Sequence, residues 1–220
     1  MTERGHRLES VTAALHAVDL PPGYHQGSAG VAKWLPNRGV YHDRRSAIEH
    51  TSAYIAKAMP DLLTCPPMDV LDVGPGCGHW MEFARGAGHT VSGVDCLAVS
   101  ELVRGYQSMT SALGLVVGYV GFHTVMRETL EDHDVAPSLD MIHSRASLGG
   151  VLACYYQGRT DPARVLGFLD CCCLLLRPGG HVHVSHNAWD GLNEMISTMG
   201  SHDRTRLERV DPLNTRHWLR

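Results

Sequence analysis

The chain contains no apolar run that approaches membrane-spanning length. Its first stretch, Met1 to Leu20, has no continuous apolar core of the kind a signal peptide needs, since Glu3, Arg4, Arg7 and Glu9 interrupt it. A cytoplasmic protein with no membrane partner is expected. Basic residues are also too scattered to form a patch that neutralises phosphates: 19 Lys and Arg stand against 23 Asp and Glu, for a net charge of −4. Nucleic acid is therefore set aside as a partner. No internal repeat or low-complexity segment is present. The seven cysteines include no C-x-x-C pair, and adjacent bridges within Cys171-Cys172-Cys173 would be strained. These thiols read as reduced and mostly as packing, with a soft-metal cluster as the rival reading.

What the chain does have is length and order. At 220 residues it is long enough for a large core and short for two domains. Residues 1–60 read as a helical and loop extension of the same domain, and 61–220 as the core. Val11, Leu15 and Val18 suggest a short amphipathic helix. From 21 to 42, Pro21, Pro22, Gly23, Gly27, Gly30, Pro36 and Gly39 are expected to break regular structure. Tyr24, Trp34 and Tyr41 lie among them, either anchoring a loop to the core or folding it as a lid over a pocket. A helix from about Asp43 to Met59 follows.

Asp69 to Val73, an apolar strand bounded by Pro66, Pro67 and Gly74, runs straight into Gly74-Pro75-Gly76-Cys77-Gly78. The missing β-carbons permit unusual backbone angles and let a ligand lie against main-chain amides at the start of the next helix, His79 to Arg85. A second strand, His89 to Val94, delivers Asp95 at its carboxyl end, where a carboxylate can accept hydrogen bonds from a ribose diol. Strand, glycine turn, helix, strand and acid in register point to a nucleoside cofactor. The nicotinamide fingerprint G-x-G-x-x-G fits less well, because the third glycine comes one residue early.

With these residues the chain resembles the class I S-adenosylmethionine-dependent methyltransferases. Leu71 to Gly78 looks like that family's first motif, Val91 to Asp95 like its second and Leu139 to Arg145 like its fourth strand. Leu175-Leu176-Arg177-Pro178-Gly179-Gly180 looks like its turn into a fifth strand, His181 to Val184. The resemblance implies a Rossmann-like α/β fold: a seven-stranded, mostly parallel sheet with helices on both faces. Arg204 to Val210 and Thr215 to Leu219 would close it as an antiparallel pair. It also implies S-adenosyl-L-methionine as cofactor, held by Gly74, Pro75, Gly76, Cys77, Gly78, Asp95 and Cys96. Asp72 would either organise the turn or receive the cofactor's ammonium. Glu128 and Thr129 would stand beside the adenine, unless Glu128 is an ordinary solvated side chain.

Methyl transfer asks chiefly for geometry, and a base matters when the acceptor must lose a proton. His143, at the end of the fourth strand, is the candidate base, with cofactor-side packing as its other role. His181 and His183 share one face of their strand and His186 lies beyond it, but the surroundings are too poor in carboxylates for a divalent-cation site, and no metal is expected. Tyr24, Trp34, Tyr41, Asn187 and Trp189 are the candidate acceptor contacts. The Asn/Asp-Pro-Pro-aromatic motif of exocyclic-amine nucleic-acid methyltransferases is absent after the fourth strand, as is a Pro-Cys nucleophile. A hydroxyl or amine of a small molecule is the expected acceptor. An aminopropyltransferase or decarboxylase on the same fold, or a non-catalytic cofactor-binding subunit, are the alternatives.

Overall fold

A computed structural model describes residues 2–96, 99–120, 136–145, 171–172, 174–185, 206–211 and 215–219. The chain divides into two compact units, Met1–Met68 with Pro75–Val120, and Asp69–Gly74 with Gly121–Arg220.

The first unit is built from helices α1 (Glu3–His16), α2 (Pro22–Trp34), α3 (Arg44–Ala58), α4 (His79–Gly86) and α5 (Glu101–Ala112). With them go the parallel strands β2 (Thr90–Val94) and β3 (Val116–Gly118). Local chemistry sets the helix starts. The Thr2 side chain accepts the Gly5 amide at 3.3 Å, Asp43 accepts Ser46 at 2.9 Å and Ser100 accepts Val103 at 3.2 Å. Val11 and Leu15 of α1 are buried as expected, but Val18 lies beyond the helix and is 45% exposed.

The expectation of an irregular segment over 21–42 is corrected by α2. Pro22 sits in the first helical turn, where its fixed φ suits a helix and its missing N–H costs nothing. The glycines serve contact between helices. A β-carbon on Gly27 would stand 2.6 Å from the Gly105 carbonyl oxygen, and one on Gly105 would stand 2.9 Å from Val31 Cγ2. Two backbones thus approach directly where α2 meets α5, and glycine's helix penalty of about 1 kcal/mol is offset by that packing. A histidine closes the rest of the unit. His89 Nδ1 accepts the Met68 amide at 3.1 Å, so Nε2 carries the proton and donates to Leu62 O at 2.7 Å.

The second unit holds β1 (Asp69–Val73), β4 (Leu139–Arg145), β5 (Leu176–Ser185), β6 (Arg206–Asp211) and β7 (Thr215–Leu219). β1, β4 and β5 run parallel in that order, and β7 pairs antiparallel with both β5 and β6. Parallel pairing is therefore confined to the first five strands. Val70, Val73, Met141, Ile142, Leu176 and Val182 are all buried, which explains the nearly unbroken apolar reading of these strands.

The fifth strand begins earlier than the sequence suggested. The expected turn, Leu175 to Gly180, lies from Leu176 onwards inside β5 as a register irregularity, with Gly179 at φ 85°. Arg177 straddles this point, donating to Asp140 Oδ2 at 2.9 Å and Asp69 Oδ2 at 2.8 Å. The whole is a Rossmann-like α/β arrangement of parallel strands and helices. Among the described residues no helix is long and apolar enough to cross a membrane.

Candidate functional site

In the first unit the site grows from the glycine turn. Gly76 and Gly78 take φ values of 55° and 81°, and Gly78 caps α4 in the left-handed conformation that favours glycine. The two differ in surroundings. A β-carbon on Gly78 would fall 2.5 Å from Leu115 Cδ1, whereas one on Gly76 would meet nothing within 4 Å. Gly76 therefore keeps an open cradle.

Asp95 stands beside that cradle. The Asp95 amide donates to Gly118 O at 2.9 Å, tying the end of β2 to the end of β3. Its Oδ2 accepts the Gly76 amide at 3.2 Å and its Oδ1 the Cys96 amide at 2.7 Å. Each carboxylate oxygen has two lone pairs, so capacity remains for further donors. The Cys77 thiol is buried against the Tyr41 carbonyl oxygen, and burial followed by the Asp95 charge pushes its pKa up. The same two influences act on Cys96, so neither thiol is activated as a nucleophile.

Two tyrosines that the sequence did not single out join this group. The Tyr106 hydroxyl is pushed up chiefly by burial and further by Cys77, Tyr41, Asp95 and Cys96, which places it among them. Tyr119 follows β3 directly, bonds Thr110 Oγ1 at 2.8 Å and is pushed up to about 12, mainly by burial. The signal for Tyr119 was the end of the apolar run Leu115 to Val117, where β3 stops, ten residues before Glu128.

The expected acceptor aromatics fall in separate settings. Tyr24 is 1% exposed, and its hydroxyl lies 2.9 Å from His79 Nε2. Trp34 ends α2 at 54% exposure. Lys33 Nζ donates to Glu101 Oε2 at 3.3 Å, and Lys33 first and Trp34 after it hold that acid below its ordinary range. Tyr41 lends its carbonyl to Cys77. Glu128, Thr129, Asn187 and Trp189 lie outside the described residues. A cavity lined by Leu15, Val18, Pro21, Glu82, Arg85 and Leu113 runs along α4 from Glu82 to its last residue, Gly86, and no residue of the glycine turn lines it.

In the second unit, Asp72 and His143 face each other from adjacent strands. They are register partners, 2% and 0% exposed, with His143 Nδ1 2.8 Å from Asp72 Oδ1. His183 continues the row on β5, its ring centroid 5.7 Å from that of His143. Ser144 donates to Val73 O at 2.8 Å just below Gly74, whose φ is 76°. His143 thus sits inside β4, with Arg145 as the strand's last residue. Burial lowers the pKa of His181, against the upward pull of Asp140.

No protein-family model matches the chain, and no curated protein does. Solved structures do. Human methyltransferase-like protein 13 in complex with SAH is 17% identical, with 78% of this chain covering 81% of that one at a TM-score of 0.50. An S-adenosyl-L-methionine-dependent methyltransferase of Methanococcus maripaludis, itself described as putative, is 10% identical, with 92% covering 94% at 0.53. The chain has the class I methyltransferase fold. A third structure with this fold, a 16S rRNA methyltransferase of T. thermophilus with AdoMet and guanosine, is 18% identical and is matched over 72% of this chain and 37% of its own, at 0.44. One expectation is corrected. The likenesses show the fold alone and no acceptor, so a small-molecule partner with nucleic acid set aside does not stand.

Proposed function

We propose that this chain binds S-adenosyl-L-methionine and transfers its methyl group. The observation that carries the reading is the pairing of an open Gly76 cradle with Asp95, whose carboxylate is already oriented by the Gly76 and Cys96 amides. Neutral main-chain donors and one fixed carboxylate suit a ligand that is part sugar diol and part zwitterion. The backbone around Gly76 and Cys77 would lie against the methionine portion and Asp95 would hold the ribose.

When bound, the cofactor supplies a methyl carbon that is already electrophilic, attached to a positive sulfur that leaves with the bonding pair as a neutral thioether. The protein's share is then to orient and to exclude water. Tyr106 and Tyr119, whose hydroxyls are protonated at physiological pH as any tyrosine's are and are pushed further up by burial, would give the site apolar walls with polar tips. Asp72 orients the His143 ring, the position this reading gives to a base for acceptors that must lose a proton.

Calorimetry with the demethylated product S-adenosylhomocysteine tests the binding half. Wild-type protein should bind, and Asp95→Ala should bind about 10- to 100-fold more weakly, as loss of a charge-assisted hydrogen-bonding group predicts. Equal affinity in a folded Asp95→Ala protein would remove the assignment. Methyl release onto a panel of RNA, protein and low-molecular-weight acceptors tests turnover. Binding without turnover on any of them would favour a non-catalytic cofactor-binding subunit, and loss of turnover in His143→Asn with affinity intact is expected if His143 takes the proton.

A further inference from the structure

The turn closes on itself through the Gly78 amide, which donates to the Pro75 carbonyl at 3.0 Å, and its glycines offer no side chains for more, so its neighbours fix the rest of its position. Asp95 does this from one side. Within the same unit, one guanidinium gathers three helices of the N-terminal extension onto the first turn of α4. Arg44 opens α3 and grips both carboxylate oxygens of Glu82, one at 2.9 Å and the other through its second terminal nitrogen. It also donates to the Leu15 carbonyl of α1 at 3.2 Å, and its guanidinium carbon lies 5.7 Å from the ring centre of Tyr24 on α2. Tyr24 in turn bonds His79, the first residue of α4. Burial, seconded by the Arg44 charge, lowers the His79 pKa to about 3 and keeps the ring neutral in that bond. The Tyr41 carbonyl meets the Cys77 thiol one position before the cap.

We infer that Arg44, acting through Glu82, Tyr24 and His79, is a positioning residue for the cofactor turn. The N-terminal extension is then a fixed brace that holds the Gly76–Gly78 turn in place before any ligand arrives, its Gly76 amide on Asp95 and its Gly78 amide on the Pro75 carbonyl. This rests on the cofactor reading above and adds to it the part of the chain that makes the site rigid. A buried, bidentate Arg–carboxylate pair is suited to the task because its geometry admits few alternatives. Pre-organised donors spare a ligand the cost of ordering them.

The test uses the full chain without cofactor and then with S-adenosylhomocysteine. Hydrogen exchange should rise about 10-fold at the amides of residues 76–82 in Glu82→Gln, and S-adenosylhomocysteine should bind about 10-fold more weakly, in line with the effects of residues that couple to a site without touching ligand. Tyr24→Phe, which removes one hydroxyl, should move both readouts the same way by about 3-fold, and it keeps the test decisive should Glu82→Gln fail to fold. Arg177→Ala, in the other unit, should move neither. Wild-type exchange rates and affinity in a folded Glu82→Gln or Tyr24→Phe protein would overturn the inference. So would exchange raised evenly across the unit rather than at 76–82, which marks a merely structural pair. Should wild-type protein fail to bind S-adenosylhomocysteine, the cofactor reading falls, and the exchange measurements alone decide whether the brace exists.

Discussion

Two arginines in this chain each hold a pair of carboxylate oxygens, in opposite surroundings. Arg44 and Glu82, in the first unit, have side chains 12% and 2% exposed. Arg177, in the second, spans Asp69 and Asp140 with exposures of 42%, 41% and 31%. The contacts look alike on paper, yet water screens the second set and not the first. Asp140 shows what the exposed arrangement achieves. Its carboxyl is held below the usual range first by the Asp69 amide that donates to it and only then by Arg177. A hydrogen bond from the backbone aligns the strand starts, and the arginine adds to it. In the first unit the charges have left water, so each depends on the other.

The sharpest way to break the comparison is to remove one partner of the buried pair. Glu82→Ala leaves Arg44 charged and buried, a loss of about 3–5 kcal/mol in denaturant unfolding. Replacing both residues by apolar ones of similar volume, Arg44→Met with Glu82→Leu, should cost much less than the single change. If the double variant is the worse of the two, the pair is stabilising in itself and the desolvation argument fails.

Acid should act on the same unit. Folded His79 has a pKa near 3 against 6.5 for the free side chain, because burial disfavours its charged form. As pH falls from 6.5 towards 3, the unfolded chain takes up this proton and the folded one does not, so stability is lost across that window and is intact above it. His79→Gln keeps a polar partner for Tyr24 and should flatten the slope of stability against pH between those limits. An unchanged slope would mean that the other histidines or the carboxylates account for acid sensitivity.

Sequence and structure agree where the signal is local. β1 spans Asp69–Val73 as read, because prolines before it and a glycine after it leave no other boundary. Asp43 starts α3 as read, because an N-cap announces itself within three residues. The place of Asp95 directly after β2 was legible for the same reason. α2 was not, because a glycine that breaks a helix and one that lets two helices touch are the same letter, and only Gly105, far along the chain, tells them apart. The brace was equally hidden. Arg44 and Glu82 are 38 positions apart, and neither carries a motif. What was missed is long-range pairing, which no window of sequence contains.

The two turn glycines separate stability from binding. Gly78→Ala must adopt a left-handed conformation and also displace Leu115, so about 2–4 kcal/mol should be lost in unfolding experiments. Gly76→Ala faces the conformational cost alone, about 1–2 kcal/mol, but its new methyl fills the cradle. It should therefore lose S-adenosylhomocysteine binding while staying folded. Equal stability losses in the two variants would show that Leu115 yields easily, and retained binding in Gly76→Ala would move the ligand off the turn.

Arg177→Ala should be the least consequential change. Solvent already screens its charges, Asp140 keeps the Asp69 amide, and the strand registers around it are fixed by main-chain pairing from Val70↔Met141 onwards. No resolvable change in Tm is expected at moderate ionic strength, and none in its salt dependence beyond the wild-type trend. A fall in Tm that matches Glu82→Ala would show that Arg177 is held out of water in solution. The contrast between the units would then rest on something other than burial.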